Sequence, residues 1–154
     1  MSKAWTALTL ALLLVACSGG GASGKPTDES VIAAFVVQLV ATTKTWEEHS
    51  EHHDTSFGPV AREGMKITVP WKKRCQGPYT NNETGEGSFV LTITDIKITP
   101  VPESSMQPYR ATIAVERTKT QNGFCQQSNP FESSYSSSWS AENKTWGEFK
   151  GPFD

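Results

Sequence analysis

The sequence predicts an α+β domain: one long N-terminal helix packed on an antiparallel sheet of about five strands, with one disulfide. Three observations carry that reading. Apolar residues first recur at helical spacing, then from Met65 onward at a period of two. Apart from Cys17, the chain has only two cysteines, Cys75 and Cys125.

The helix comes first. Thr27 is a capping residue, with Asp28 and Glu29 placed where the positive end of the helix dipole favours acids. Ile32, Phe35, Val36, Leu39, Val40, Thr43 and Trp46 then follow the i, i+3, i+4, i+7 rhythm of a buried face. The glutamate-rich continuation through residue 51 extends the expected helix to about 25 residues, ending before Gly58-Pro59.

Strands follow. Met65, Ile67, Val69 and Trp71 alternate with polar residues, and Pro70 places this first strand at a sheet edge because proline cannot donate to a ladder. The second strand, about 88–98, has Phe89, Leu91 and Ile93 on one face but Ile96 and Ile98 in the opposite phase. A phase slip near Thr94-Asp95 therefore reads as a bulge or strong twist. Tyr109, Ala111, Ile113 and Val115 define the third strand. Phe131, Tyr135 and Trp139 define the fourth, with serines mainly opposite, and this aromatic stripe at period two reads as core. Across a turn at Ala141–Lys144, Trp146 and Phe149 mark a short fifth strand.

A helix followed by a meander buries one sheet face in a two-layer domain. The expected meander brings the loops 76–87 and 119–130 to one end, where Cys75 can reach Cys125. It also starts the helix at that same end. This layout is similar to that of cystatin-like and NTF2-like lipoprotein domains, folds that do not by themselves settle function.

Before the domain, a cationic start at Lys3 leads into the mostly apolar run Trp5–Val15. That run is shorter than the ~20 residues needed to span a bilayer and suits a signal-peptide core. It closes with Leu14, Val15, Ala16 and Cys17, which resembles the lipobox of bacterial lipoproteins: an aliphatic residue, small residues before the cut, and an obligatory cysteine after it. The resemblance implies a signal peptide over 1–16, acylation of Cys17 and attachment to the cell envelope. Ser18 after the cysteine, in place of Asp, resembles cargo for the periplasmic side of the outer membrane in a diderm organism. Residues 17–26 then form a lipidated tether rich in glycine and serine, whose nine residues after Cys17 reach about 17 Å root-mean-square. Residues 27–154 form the single α+β domain.

Export places Cys75 and Cys125 in an oxidising compartment, where a bridge between the two remaining thiols is the default. Closing a loop of about fifty residues contributes roughly 4 kcal/mol in the chain-entropy treatment. The formal charge is −2, and 19% of residues are charged, below the usual quarter. Clustered basic charge of the kind that reads nucleic acid is missing, so no nucleic-acid partner is expected. Neither a nucleophile elbow, a phosphate-binding glycine loop nor a dinucleotide fingerprint occurs, and no enzyme is expected. The remaining expectation is a protein partner recognised by the loops 76–87 and 119–130 or by the distal loop 99–107.

Two clusters carry chemistry. All three histidines, His49, His52 and His53, lie among acids in residues 46–54. On a helix His49 and His53 share a face, with Glu48 and His52 as a second i, i+4 pair, a donor set suited to zinc. The plainer reading is a solvated helix end with no cofactor, and zinc binding is the alternative to it. Lys72, Lys73 and Arg74 form the basic run. It either meets anionic lipid at the end where the tether leaves or discourages pairing along an edge strand.

Overall fold

The computed structural model describes residues 24–49, 55–74, 84–122 and 131–151. Helix α1 (Asp28–His49) opens on a reciprocal cap. The Ser30 N–H donates to Thr27 Oγ1 at 3.3 Å while the Thr27 N–H donates to Ser30 Oγ at 3.1 Å, satisfying donors that the first helical turn leaves without partners. Val31, Ile32 and Phe35 are buried, and Val36 and Leu39 pack partly against the same core.

Strands β1 (Thr55–Phe57), β2 (Ala61–Glu63), β3 (Lys66–Arg74), β4 (Thr84–Pro100), β5 (Tyr109–Asn122), β6 (Phe131–Ser140) and β7 (Thr145–Trp146) form one antiparallel sheet. Its order is β1-β3-β4-β5-β6-β7, with β2 also pairing β3. The α+β class is as expected, but the sheet has seven strands rather than about five. The additional strands are β1 and β2. The helix is described as far as His49, and Thr55–Phe57, for which no strand was expected, pairs with β3. Glu47 accepts a hydrogen bond from the Phe57 N–H, which ties the helix end to the returning chain.

Pro70 lies in the gap between the two short strands. β1 pairs with residues 71–73 and β2 with residues 66–68, so the missing N–H costs no ladder bond. The Pro70 carbonyl accepts from the Gly58 N–H at 2.8 Å. A Cβ on Gly58 would stand 3.1 Å from Pro70 Cβ, so the close approach favours glycine. β3 is therefore not the sheet edge; the edge is β1 and β2, broken at the proline. Met65, expected on the inner face of that strand, instead precedes it and is 50% exposed.

The phase slip in β4 is a bulge. Ile93 pairs with Val115 and Asp95 with Ala114, which leaves Thr94 without an opposite number on β5. Beyond it Ile96 pairs with Ile113 and Ile98 with Ala111, both of which are fully buried. The opposite-phase reading of Ile96 and Ile98 is thereby corrected: the bulge returns both to the face of Leu91 and Ile93, where they pack against the core.

The direction of the helix is also the reverse of that expected. Arg62 on β2 pairs with Glu29, and Asp28 lines a pocket with Met65, Ile93 and Asp95, so the helix starts beside the beginning of β3. Glu47 meets Phe57, opposite Trp71, so it finishes near the far end of that strand. Because β1 and β2 run back along β3, the chain traverses the sheet once more than a plain meander does.

The helix also holds the C-terminal part of the chain. The Trp146 indole N–H donates to Ser30 Oγ at 3.0 Å, and Trp139 meets Trp146 edge-on at 5.3 Å. Gln38 donates through Nε2 to the Phe149 carbonyl at 2.8 Å and accepts from the Phe149 N–H through Oε1 at 2.6 Å. Phe149 is 2% exposed and T-stacks on Phe35. Removing both bonds leaves two part-buried backbone groups without partners, at a cost of about 2 kcal/mol. Gln38→Ala is expected to lower the unfolding free energy by that amount in urea titration with an unchanged m-value. It should also speed amide exchange at Phe149.

Candidate functional site

The segments expected to carry function join described elements mostly at one end of the sheet. Arg74 pairs with Thr84 and Glu86 with Asn122, so the chain leaves β3 and β5 and enters β4 at the same end. Cys75 and Cys125 lie outside the described residues, in the segments joined to those strand ends. The strands run further than expected: residues 84–87 and 119–122 are β4 and β5, which narrows the connections to 75–83 and 123–130.

Glu48 and His49 are the last described residues of helix α1. Their side chains, together with His52 and His53, lie outside what the structure describes, as does Cys17. Among the described residues no group of three His, Cys, Asp or Glu side chains is arranged to hold a metal ion. None of their helices is long and apolar enough to cross a membrane.

Lys72 pairs with Glu86 at 3.5 Å, both side chains mostly exposed, a contact worth at most about 1 kcal/mol. The basic run Lys72–Arg74 sits at the opposite end of β3 from the helix start, separated from it by about 26 Å of strand. The tether joins the chain at the helix start, so the expectation that this run meets lipid where the tether leaves is overturned. The cause is the added traversal by β1 and β2.

Above that run the inner sheet face is aromatic. Trp71 and Phe89 have ring centroids 6.1 Å apart, and the Arg117 guanidinium lies 5.3 Å from the Phe89 centroid. Burial holds the Arg117 pKa below its ordinary value. Phe57, Gly58, Pro70, Trp71 and Lys72 line an adjoining open cleft of about 370 Å³.

At the helix-start end, the Glu29 carboxylate takes two bonds from Arg62, one of them 2.8 Å from Nη2. The hydrogen bond from Arg62 lowers the Glu29 pKa, with partial desolvation opposing it, and the same bond raises that of Arg62. This pair lies where the tether meets the fold.

A second cleft, which the linear reading missed, lies on the outer sheet face at this end. It measures about 490 Å³ and is lined by Gln107, Arg110, Ser136, Ser138, Glu148 and Lys150 among others. Alternation along each strand placed Arg110 and the serines outward. What brings them together is the bridge of Lys150 to Ser136, a long-range pairing that no local pattern announces.

The chain matches no protein-family model, no curated protein and no solved structure.

The shared end of β3, β4 and β5 sets a direct check on the bridge. Mass spectrometry after non-reducing digestion is expected to show the peptides holding Cys75 and Cys125 joined, and reduction to separate them. Two free thiols would remove the stapled-loop reading.

Proposed function

We propose that this chain is a lipid-anchored bacterial cell-envelope lipoprotein that performs no catalysis and binds a protein partner at the envelope. The observation that carries the reading is the apolar run Trp5–Val15 closing on Leu14, Val15, Ala16 and Cys17, a run too short to span and ending in a modifiable thiol. Two or three acyl chains, at about 0.8 kcal/mol per buried methylene, hold a protein on a bilayer where one chain does not. In a diderm organism its address is the periplasmic side of the outer membrane.

The position of the helix start supports an orientation for the anchored domain. Pro26 is buried and Thr27 begins the cap, so the free part of the tether ends close to the fold. The helix-start end then lies toward the membrane, and the strand ends at Arg74, Thr84 and Asn122 lie away from it. The connections 75–83 and 123–130, stapled by a Cys75–Cys125 bridge, are the surface offered to a partner, because loops held by a rigid sheet are where recognition concentrates. The aromatic cleft beside Trp71 lies toward the strand ends that those connections join and extends that surface.

Cell fractionation of Cys17→Ser beside the parent tests the anchor. The parent is expected in the membrane fraction with a mass increment for acylation. The variant is expected to lose the increment and leave that fraction. A variant equally membrane-bound, with unchanged processing, would overturn the reading.

A further inference from the structure

The outer face of the sheet carries a cationic groove at the end where the tether joins. Lys97 on β4 pairs with Thr112 on β5, Thr112 with Ser136 on β6, and Ser136 with Lys150. Directly opposed residues share a face, so these four side chains form one outward row. Thr99, Arg110 and Ser138 form the neighbouring row by the same registers. Lys97 and Arg110 are diagonal neighbours, about 7–8 Å apart. All three cations are exposed, and none makes an ion pair among the described residues.

In a chain of formal charge −2, this grouping runs against the background. It is also tempered: Glu148 borders the groove, and Asp95 lies two residues from Lys97 on the same face. Within the groove, Arg110 and Lys150 against Glu148 leave one net positive charge beside the donors Ser136, Ser138 and Gln107. A single net charge among neutral donors suits a singly charged oxyanion, while a polyanion would be repelled by Glu148 and Asp95. A phosphodiester meets that description.

Apolar surface at the same end decides what carries the phosphodiester. Met106, next to Gln107 in the groove wall, is 79% exposed, and Met65 beside the helix start is 50% exposed. Val37 is the third large hydrophobic exposed among the described residues. Two methionines at the tether end, one adjoining the groove, match a headgroup attached to hydrocarbon.

We propose that this groove binds the phosphodiester headgroup of a membrane lipid, a second contact with the bilayer that orients the anchored domain. The proposal rests on the anchoring reading, which delivers the groove to the membrane surface.

The test uses the full chain carrying Cys17→Ser, with and without Arg110→Gln and Lys150→Gln, so that the apolar run 5–15 contributes equally to both proteins. On phosphatidylglycerol vesicles the doubly substituted groove is expected to partition about thirtyfold more weakly, as the loss of two basic residues near an anionic surface implies. Amide resonances of Arg110, Ser136 and Ser138 should shift with vesicles in the parent groove alone. Equal partitioning, with no such shifts, would overturn the proposal. Binding of soluble glycerophosphoglycerol without any vesicle difference would overturn the lipid assignment in favour of a free phosphodiester. Lys150→Gln alone repeats the comparison if circular dichroism finds the double variant unfolded. Since Cys17 is replaced throughout, failure here leaves the anchor untouched, and failure of the anchor appears only in fractionation.

Discussion

Every inward side chain of β4 beyond Ile93 depends on Thr94 having no partner on β5. A strand of 17 residues keeps one face against a single helix only if its alternation is corrected where the sheet bends, and one extra residue does that. Were Thr94 instead paired with Ala114, Ile96 and Ile98 would turn to water and Lys97 would turn inward, opposite the buried Ala111. Burying that ammonium without a partner costs more than losing the two isoleucines, so Thr94 is left unpaired. The same shift sets Lys97 on the outer face in the row of Thr112, Ser136 and Lys150, so packing and surface chemistry at this end share one cause.

The fold's polarity has a second source in the short strands β1 and β2. By running back along β3 they turn the helix around relative to a plain meander, which separates the tether end from the cysteine end. Four contacts then hold the helix in that direction: Glu29 with Arg62, Ser30 with Trp146, Gln38 with Phe149, and Glu47 with Phe57. Each joins a helical residue to a different part of the later chain. The proposed anchor and the proposed recognition loops belong to opposite ends of this arrangement.

The parts legible in the sequence were those governed by local periodicity. Ile67, Val69 and Trp71, then Ala111, Ile113 and Val115, alternate cleanly, and each lies inside as alternation requires. Thr27 capped the helix because capping is decided within one turn. Thr55–Phe57 and Ala61–Glu63 were not legible: three residues are too few to display a period, and only pairing with β3 makes them strands. Pro70 points to an edge strand by its missing donor, but its gap falls between two three-residue strands that cover that edge. The groove depended on Lys150 meeting Ser136, a juxtaposition set by the helix holding Phe149 in place. The histidine cluster at 49–53 was conspicuous in sequence and lies largely outside the described residues.

Deleting Thr94 and comparing the product with Thr94→Ala by urea unfolding tests the role of the bulge most directly. The substitution keeps the residue count of β4 and should leave stability within about 0.5 kcal/mol of the parent. The deletion removes the one residue without a partner on β5, so Asp95 follows Ile93 directly, Ile96 and Ile98 keep their inward phase and Lys97 stays outside. A cooperative transition is therefore expected. A deletion protein without a cooperative transition would contradict the register of β4 on which the two ends of the molecule, and the chemistry assigned to them, depend.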